Sequence, residues 1–111
     1  MSLTAEQLYA QEPQLKKLVS ACQNELGAVQ VWLFGSRARG DNHEHSDWDV
    51  LAVLANEDDI DRATPPALWG VRRRIGLNSD LLAVTKDEFE EEQDCFTSIS
   101  YAAAHEGVLL T

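Results

Sequence analysis

The chain has 111 residues and a mass of 12.4 kDa, and at the usual ~100–150 residues per domain this predicts a single domain over 1–111 with no second, substrate-binding one. Hydrophobic residues make up 44% and charged residues 25%, which excludes a wholly disordered or fibrous chain. Nineteen Asp and Glu against nine Lys and Arg leave a net charge of −10, a surface that repels phosphate backbones and argues against direct DNA or RNA binding.

Taken in chain order, Met1 to Ala10 has neither the basic start nor the apolar core of a secretory leader. No apolar run approaches the ~18–20 residues that cross a bilayer, so a cytoplasmic location without membrane contact is expected. Thr4 and Gln7 suit a capping box that opens a short first helix, and Glu12-Pro13 ends it and starts another. Leu15, Leu18, Val19, Cys22 and Leu26 then recur at helical spacing, with Gly27 as the stop. Ala28 to Phe34 is rich in β-formers and apolar on both faces, Val29, Val31 and Leu33 alternating with Trp32 and Phe34, which predicts a buried strand ended by Gly35.

After the polar loop 41–46, Val50 to Ala55 reads as a second strand and the acidic stretch Glu57 to Asp61 as a solvated connection. Thr64 and Pro65 suit the cap and first position of a helix through Leu68, Trp69, Val71, Arg72 and Ile75, stopped at Gly76. Asp80 to Val84 reads as a third strand, and Thr85 with Glu88 as another capping box. Helical segments up to His105, a stop at Gly107 and a short strand at Val108 to Leu110 complete an α/β (α+β) fold around one sheet. Cys22 and Cys95 form no C-x-x-C pair and read as reduced core thiols.

One stretch carries chemistry. Gly35-Ser36-Arg37-Ala38-Arg39-Gly40 follows a strand, and Ser46-Asp47-Trp48-Asp49-Val50 opens the next. A strand ending in Gly-Ser and a tight turn exposes backbone N–H groups to a phosphate, and a helix starting at Ser36 would add its N-terminal partial charge. Asp47 and Asp49 are two apart at a strand mouth, so their carboxylates emerge on one face and repel unless a cation separates them. Hard oxygen ligands of this kind suit Mg²⁺. Asp80, placed before an apolar run where an unpaired charge is costly, is the candidate third carboxylate. Three acids on two strands suit two ions about 3.5–4 Å apart, an arrangement for in-line attack on an α-phosphorus.

The pattern G-S-x-A-x-G followed by S-D-x-D resembles the signature of the nucleotidyltransferase superfamily related to DNA polymerase β, most closely its minimal stand-alone members. The third-strand acid and the closing Glu106-Gly-Val-Leu-Leu110 extend that resemblance over nearly the whole chain. Trp48 and Val50 depart from it, standing where a smaller aliphatic residue and Leu are common. The resemblance implies the nucleotidyltransferase fold, a small mixed β-sheet flanked by helices. It implies that Gly35 and Ser36 contact the nucleotide phosphates, that Asp47 and Asp49 hold both metals, and that Asp80 holds the catalytic metal as the base near the incoming hydroxyl. Two Mg²⁺ ions, or Mn²⁺, and ATP as substrate belong to the same expectation.

Minimal members of that family are encoded beside a HEPN-domain toxin and act as antitoxins by moving AMP from ATP to a tyrosine of that partner. Two other readings stand beside this one: neutralisation by binding alone, and nucleotidyl transfer to a small molecule such as an antibiotic. Homo- and hetero-oligomers are both compatible with the sequence.

For the remaining polar residues, simpler readings compete. Ser46 is counted with the nucleotide-binding residues. Arg37 and Arg39 either grip triphosphate oxygens or pair with acids such as Asp41 or Asp47. His43-Glu44-His45 reads as an exposed loop rather than a metal site, and His105 as a complement to a helix end. Arg72-Arg73-Arg74 spreads by about 100° per residue and reads as solvated surface, as does the acidic face Glu88 to Asp94. Tyr101 with Ala102, Ala103 and Ala104 reads as helix packing.

Overall fold

The computed structural model describes residues 3–111; Met1 and Ser2, the start of the segment read for a leader, lie outside the described residues. Several helices begin where a side chain satisfies one of the first amides. Thr4 and Gln7 form the reciprocal box that opens α1 (Ala5–Gln11), and Pro13 precedes α2 (Gln14–Glu25). Thr64 accepts from the Ala67 amide at the start of α4 (Pro65–Ile75). Thr85 accepts from the Glu88 amide to cap α5 (Lys86–Glu92), but the reciprocal half of that box is missing because Thr85 still belongs to β3 (Ser79–Thr85), in register with Leu54. Short α3 (Ser36–Arg39) follows β1 (Ala28–Phe34), and α6 (Ile99–Tyr101) passes into a π-helical turn, Ala102–Glu106. The acidic connection is a 3-10 helix, Glu57–Arg62, capped by Asn56 and Asp59, rather than an irregular loop.

The four-stranded sheet has the order β3-β2-β1-β4. β2 (Trp48–Leu54) runs antiparallel to β1 and parallel to β3, and β4 (Val108–Leu109) runs antiparallel to β1, so the sheet is mixed. α4 is the crossover that a parallel β2–β3 pair requires. β2 begins two residues earlier than its apolar run, at Trp48, because that residue buries its ring in the core and pairs with Ser79.

One face of the sheet carries Val31, Leu33, Trp48, Val50, Ala52, Leu54 and Leu81 beneath α1, α2 and α4. The other carries Trp32, Phe34, Leu51, Val53 and Val84 against Phe89 and Ala103. Val29 was expected to alternate inward with Val31 and Leu33, yet it is 49% exposed. A bulge between Ala28 and Gln30 inserts one residue into β1 and hands the inward position to Ala28. Two other expectations change, at Trp69 and at Cys95. Trp69 is 56% exposed, with the Arg73 guanidinium 5.1 Å above its ring. Cys95 is exposed, while Cys22 is buried, its thiol pushed up to about 12 by burial and by Glu25. Gly107 stops the C-terminal helix by close approach, since a Cβ there would meet the Ala103 and Leu33 carbonyl oxygens at 2.5 and 2.6 Å.

Candidate functional site

The candidate site forms where β1 ends and β2 and β3 begin. Parallel pairing sets Asp49 directly across from Asp80, and side chains opposite one another on adjacent strands share a face. Asp47 stands two residues before Asp49, just outside β2. On the other side of Asp49 lies Phe34, and the chain then turns at Gly35. Asp49 is the one residue of β2 that is not fully buried.

Gly35 is required twice over. Its φ of +75° lies in the left-handed half of backbone space, and a Cβ added there would collide with the Asp49 carboxylate. Its carbonyl accepts from the Ala38 and Arg39 amides at 3.2 and 3.1 Å, which starts α3 and leaves the first-turn amides of Ser36 and Arg37 outside the helix's own bonds. The turn and the carboxylate therefore touch, with no side chain between them.

The Asp49 carboxyl is held above its ordinary value by burial first, then by the charges of Asp80 and Asp47, with Arg39 acting in the opposite direction. Among the described residues, no basic side chain ion-pairs with any of the three acids. Asp47 instead accepts a 2.6 Å hydrogen bond from Asn78 Nδ2. No set of three acidic, His or Cys side chains is gathered closely enough among the described residues to enclose an ion. The donor chemistry nevertheless suits a hard divalent cation: carboxylate oxygens only, mutually repelling, with no protein cation between them. The residues that would hold it are Asp47, Asp49 and Asp80.

The remaining candidates separate clearly. Arg37 pairs with no acid among the described residues: its Nε and Nη2 donate to the Ser46 carbonyl at 3.1 and 2.9 Å and Nη2 to the Glu44 carbonyl at 3.2 Å, with the guanidinium 4.6 Å from the centre of the Trp48 ring. Arg37 thus clamps the loop, and Trp48, a departure from the family pattern, is its platform. Ser46 is engaged in the same loop, its hydroxyl accepting from the His43 amide at 3.0 Å. Arg39 pairs with Asp41 at 3.2 Å. His43 Nδ1 accepts from the His45 amide, in keeping with a plain loop. His105 stacks on Tyr101 at 4.1 Å and meets Asp94 at 3.3 Å.

Sequence reasoning missed Asn78. No local pattern marks it; its contact with Asp47 spans 31 positions and exists only because β2 and β3 pair.

Two comparisons with known proteins bear on the family and the fold. A family model described as "Nucleotidyltransferase domain" matches residues 15–105. A crystal structure of a candidate nucleotidyltransferase from Sulfolobus solfataricus is similar in fold, with a TM-score of 0.58 and 21% identity, over 98% of this chain and 87% of that one. No curated protein sequence matches the chain. Among the described residues, no helix is long and apolar enough to cross a membrane.

Proposed function

The chain belongs to the nucleotidyltransferase domain family, and from that premise we propose that it transfers AMP from ATP to a protein hydroxyl, a tyrosine of a HEPN-domain toxin, and so acts as an antitoxin. The observation that carries the reading is the β2–β3 register, which sets Asp80 beside Asp49 on the face that Gly35 keeps open. Support for a protein partner comes from the resemblance to the minimal stand-alone members and from a net charge of −10, which suits a basic protein.

In this reading the Ser36 and Arg37 amides and the Ser36 hydroxyl receive the triphosphate, and Arg39 exchanges its exposed partner Asp41 for a phosphate oxygen. Asp47, Asp49 and Asp80 hold Mg²⁺, with Mn²⁺ as a substitute. When bound, the metal neutralises the triphosphate and acidifies the attacking hydroxyl. The acceptor oxygen bonds to the α-phosphorus, the α–β phosphoanhydride bond breaks, and pyrophosphate leaves. The hydroxyl proton passes to an Asp80 carboxylate oxygen, the group nearest the open edge of the sheet. Arg37 and Ser46 act indirectly, by holding the loop that delivers Asp47.

Incubating the chain with α-labelled ATP, Mg²⁺ and the HEPN-domain protein encoded beside it should place label on a partner tyrosine. Label that persists unchanged in Asp47→Asn and Asp49→Asn rejects the reading. The Asn78 bond to Asp47 favours one alternative, neutralisation by binding alone, because it provides that carboxylate with a partner inside the protein. Under that alternative, the Asp47→Asn, Asp49→Asn double variant rescues growth as fully as the wild type.

A further inference from the structure

β3 is an edge strand, and among the described residues nothing pairs with its outer row of backbone groups. Its seven residues contain a single charge, Asp80, followed by Leu-Leu-Ala-Val, and so lack most of the devices that keep an exposed edge from pairing. A groove lies along that edge between β3 and α4. Its apolar part, about 620 Å³, is lined by Pro65, Pro66, Leu68, Leu81 and Leu82, with Leu82 38% exposed. Its more polar part, about 450 Å³, is lined by Arg72, Arg73, Asn78 and Ser79 together with Gly76 and Leu77, and Trp69 and Arg72 belong to both parts.

Two atoms in the polar part lack partners. Ser79 is 2% exposed and its hydroxyl makes no hydrogen bond, and the Arg72 Nε is buried and equally unpaired. Buried polar groups are normally satisfied, so these two leave this end of the groove short of an acceptor. Arg72 and Arg73 also make this a basic island on a chain of net charge −10, so an acidic side chain fits it and a second copy of the chain is repelled overall.

We propose that this edge docks an extended segment of the acceptor protein as a fifth strand on β3, and that strand register itself delivers the acceptor hydroxyl. The inference rests on the transfer reading above. In-line attack needs the nucleophile opposite the leaving pyrophosphate. The phosphate turn at Gly35–Ser36 lies on the β1 side of Asp49, so the hydroxyl enters from the β3 side. A residue paired opposite Asp80 on an added strand points its side chain to the face of Asp80 and Asp49. Its two neighbours point the other way, into the groove. The neighbour beside Ser79 meets Arg72 and is an Asp or Glu; the neighbour beside Leu81 meets Leu68 and is apolar. The acceptor site is therefore a hydroxyl residue with a carboxylate on one side and an apolar residue on the other, on a partner whose overall charge is basic.

The test uses two capped hexapeptides, Val-Thr-Asp-Tyr-Val-Thr and its reversed sequence, because either strand direction gives the same facing. Hydrogen exchange is followed on the full chain, first without ATP or metal. One of the two peptides should protect the amides of residues 79–85. Changing its Asp to Asn should weaken binding about tenfold, as expected for loss of a charge-assisted pair. That tenfold difference should vanish in Arg72→Gln and shrink in Arg72→Lys, while Trp69→Ala, a change at an exposed position, weakens both peptides. Absence of protection at 79–85, equal binding of the Asp and Asn peptides, or protection that appears with rising protein concentration and no peptide overturns the inference. Adding α-labelled ATP and Mg²⁺ separates the two readings. Protection of β3 without label on the peptide tyrosine supports docking and counts against transfer; label without protection supports transfer and overturns docking.

Discussion

The molecule gathers carboxylates in two places, and only one of them is forced together. Glu57, Asp58 and Asp61 of the 3-10 helix face Asp87, Glu88 and Glu91 of α5 across an acidic cleft. Those six are exposed, and Glu57, Asp58, Asp87 and Glu88 sit in first turns, where a helix favours negative charge. Their side chains are free to swing into water. Asp49 and Asp80 number only two, but their backbones are fixed opposite one another on paired strands, and Asp49 is half-buried beneath a glycine turn. The larger cluster relaxes through solvent, whereas in the smaller one the Asp49 carboxyl is raised, by burial first and then by the charges of Asp80 and Asp47. Backbone constraint, rather than charge density, makes a candidate metal centre.

The sharpest way to break this contrast is substitution at both places. Asp49→Asn should lower nucleotidyl transfer at least about 100-fold, read as α-label incorporation, because it removes a ligand rather than an outer partner. Gly35→Ala should cost about 2 kcal/mol or more in urea unfolding, through the positive φ and the collision with Asp49, and should lower transfer with it. Asn78→Ala should weaken Mn²⁺ binding about tenfold in a calorimetric titration if its bond presents Asp47 for ligation; tighter binding would instead identify that bond as a competitor of the metal.

A smaller effect concerns stability. The Asp49 carboxyl is raised in the folded state, so the folded chain holds this proton more tightly than the unfolded chain. That contribution is complete below the unfolded value of about 3.9 and is lost as pH rises through the folded value. At neutral pH the ionised group therefore opposes folding. Asp49→Asn should raise Tm there on the order of 2–5 °C, a gain that disappears near about pH 3, although the same change removes activity. Smallest of all, Asp58→Asn with Glu91→Gln in the acidic cleft should leave transfer within about twofold and stability within about 0.5 kcal/mol.

How far the sequence is readable depends on the range of the interaction responsible. The bounds of β1 and α4 follow from their own residues, since Gly35, Thr64-Pro65 and Gly76 act within a few positions. The exposed side of Val29 could not be read, because the bulge depends on how β1 pairs with β2. Arg37 was open between phosphate and acid, and the fold turned it to loop carbonyls over Trp48. Arg72 looked solvated in a run of three arginines; packing of α4 on β3 buried its Nε beside Ser79.

By itself the sequence determined the order of helices and strands, the glycine turn at Gly35 and the pair Asp47 and Asp49, because caps, turns and alternation are local properties of the chain. Only the tertiary structure decided that Asp80 faces Asp49, that Asn78 reaches Asp47, and that β3 ends the sheet with its edge open. Those three facts are matters of register between strands tens of residues apart, and register is set when whole faces are buried together rather than by any short run of residues.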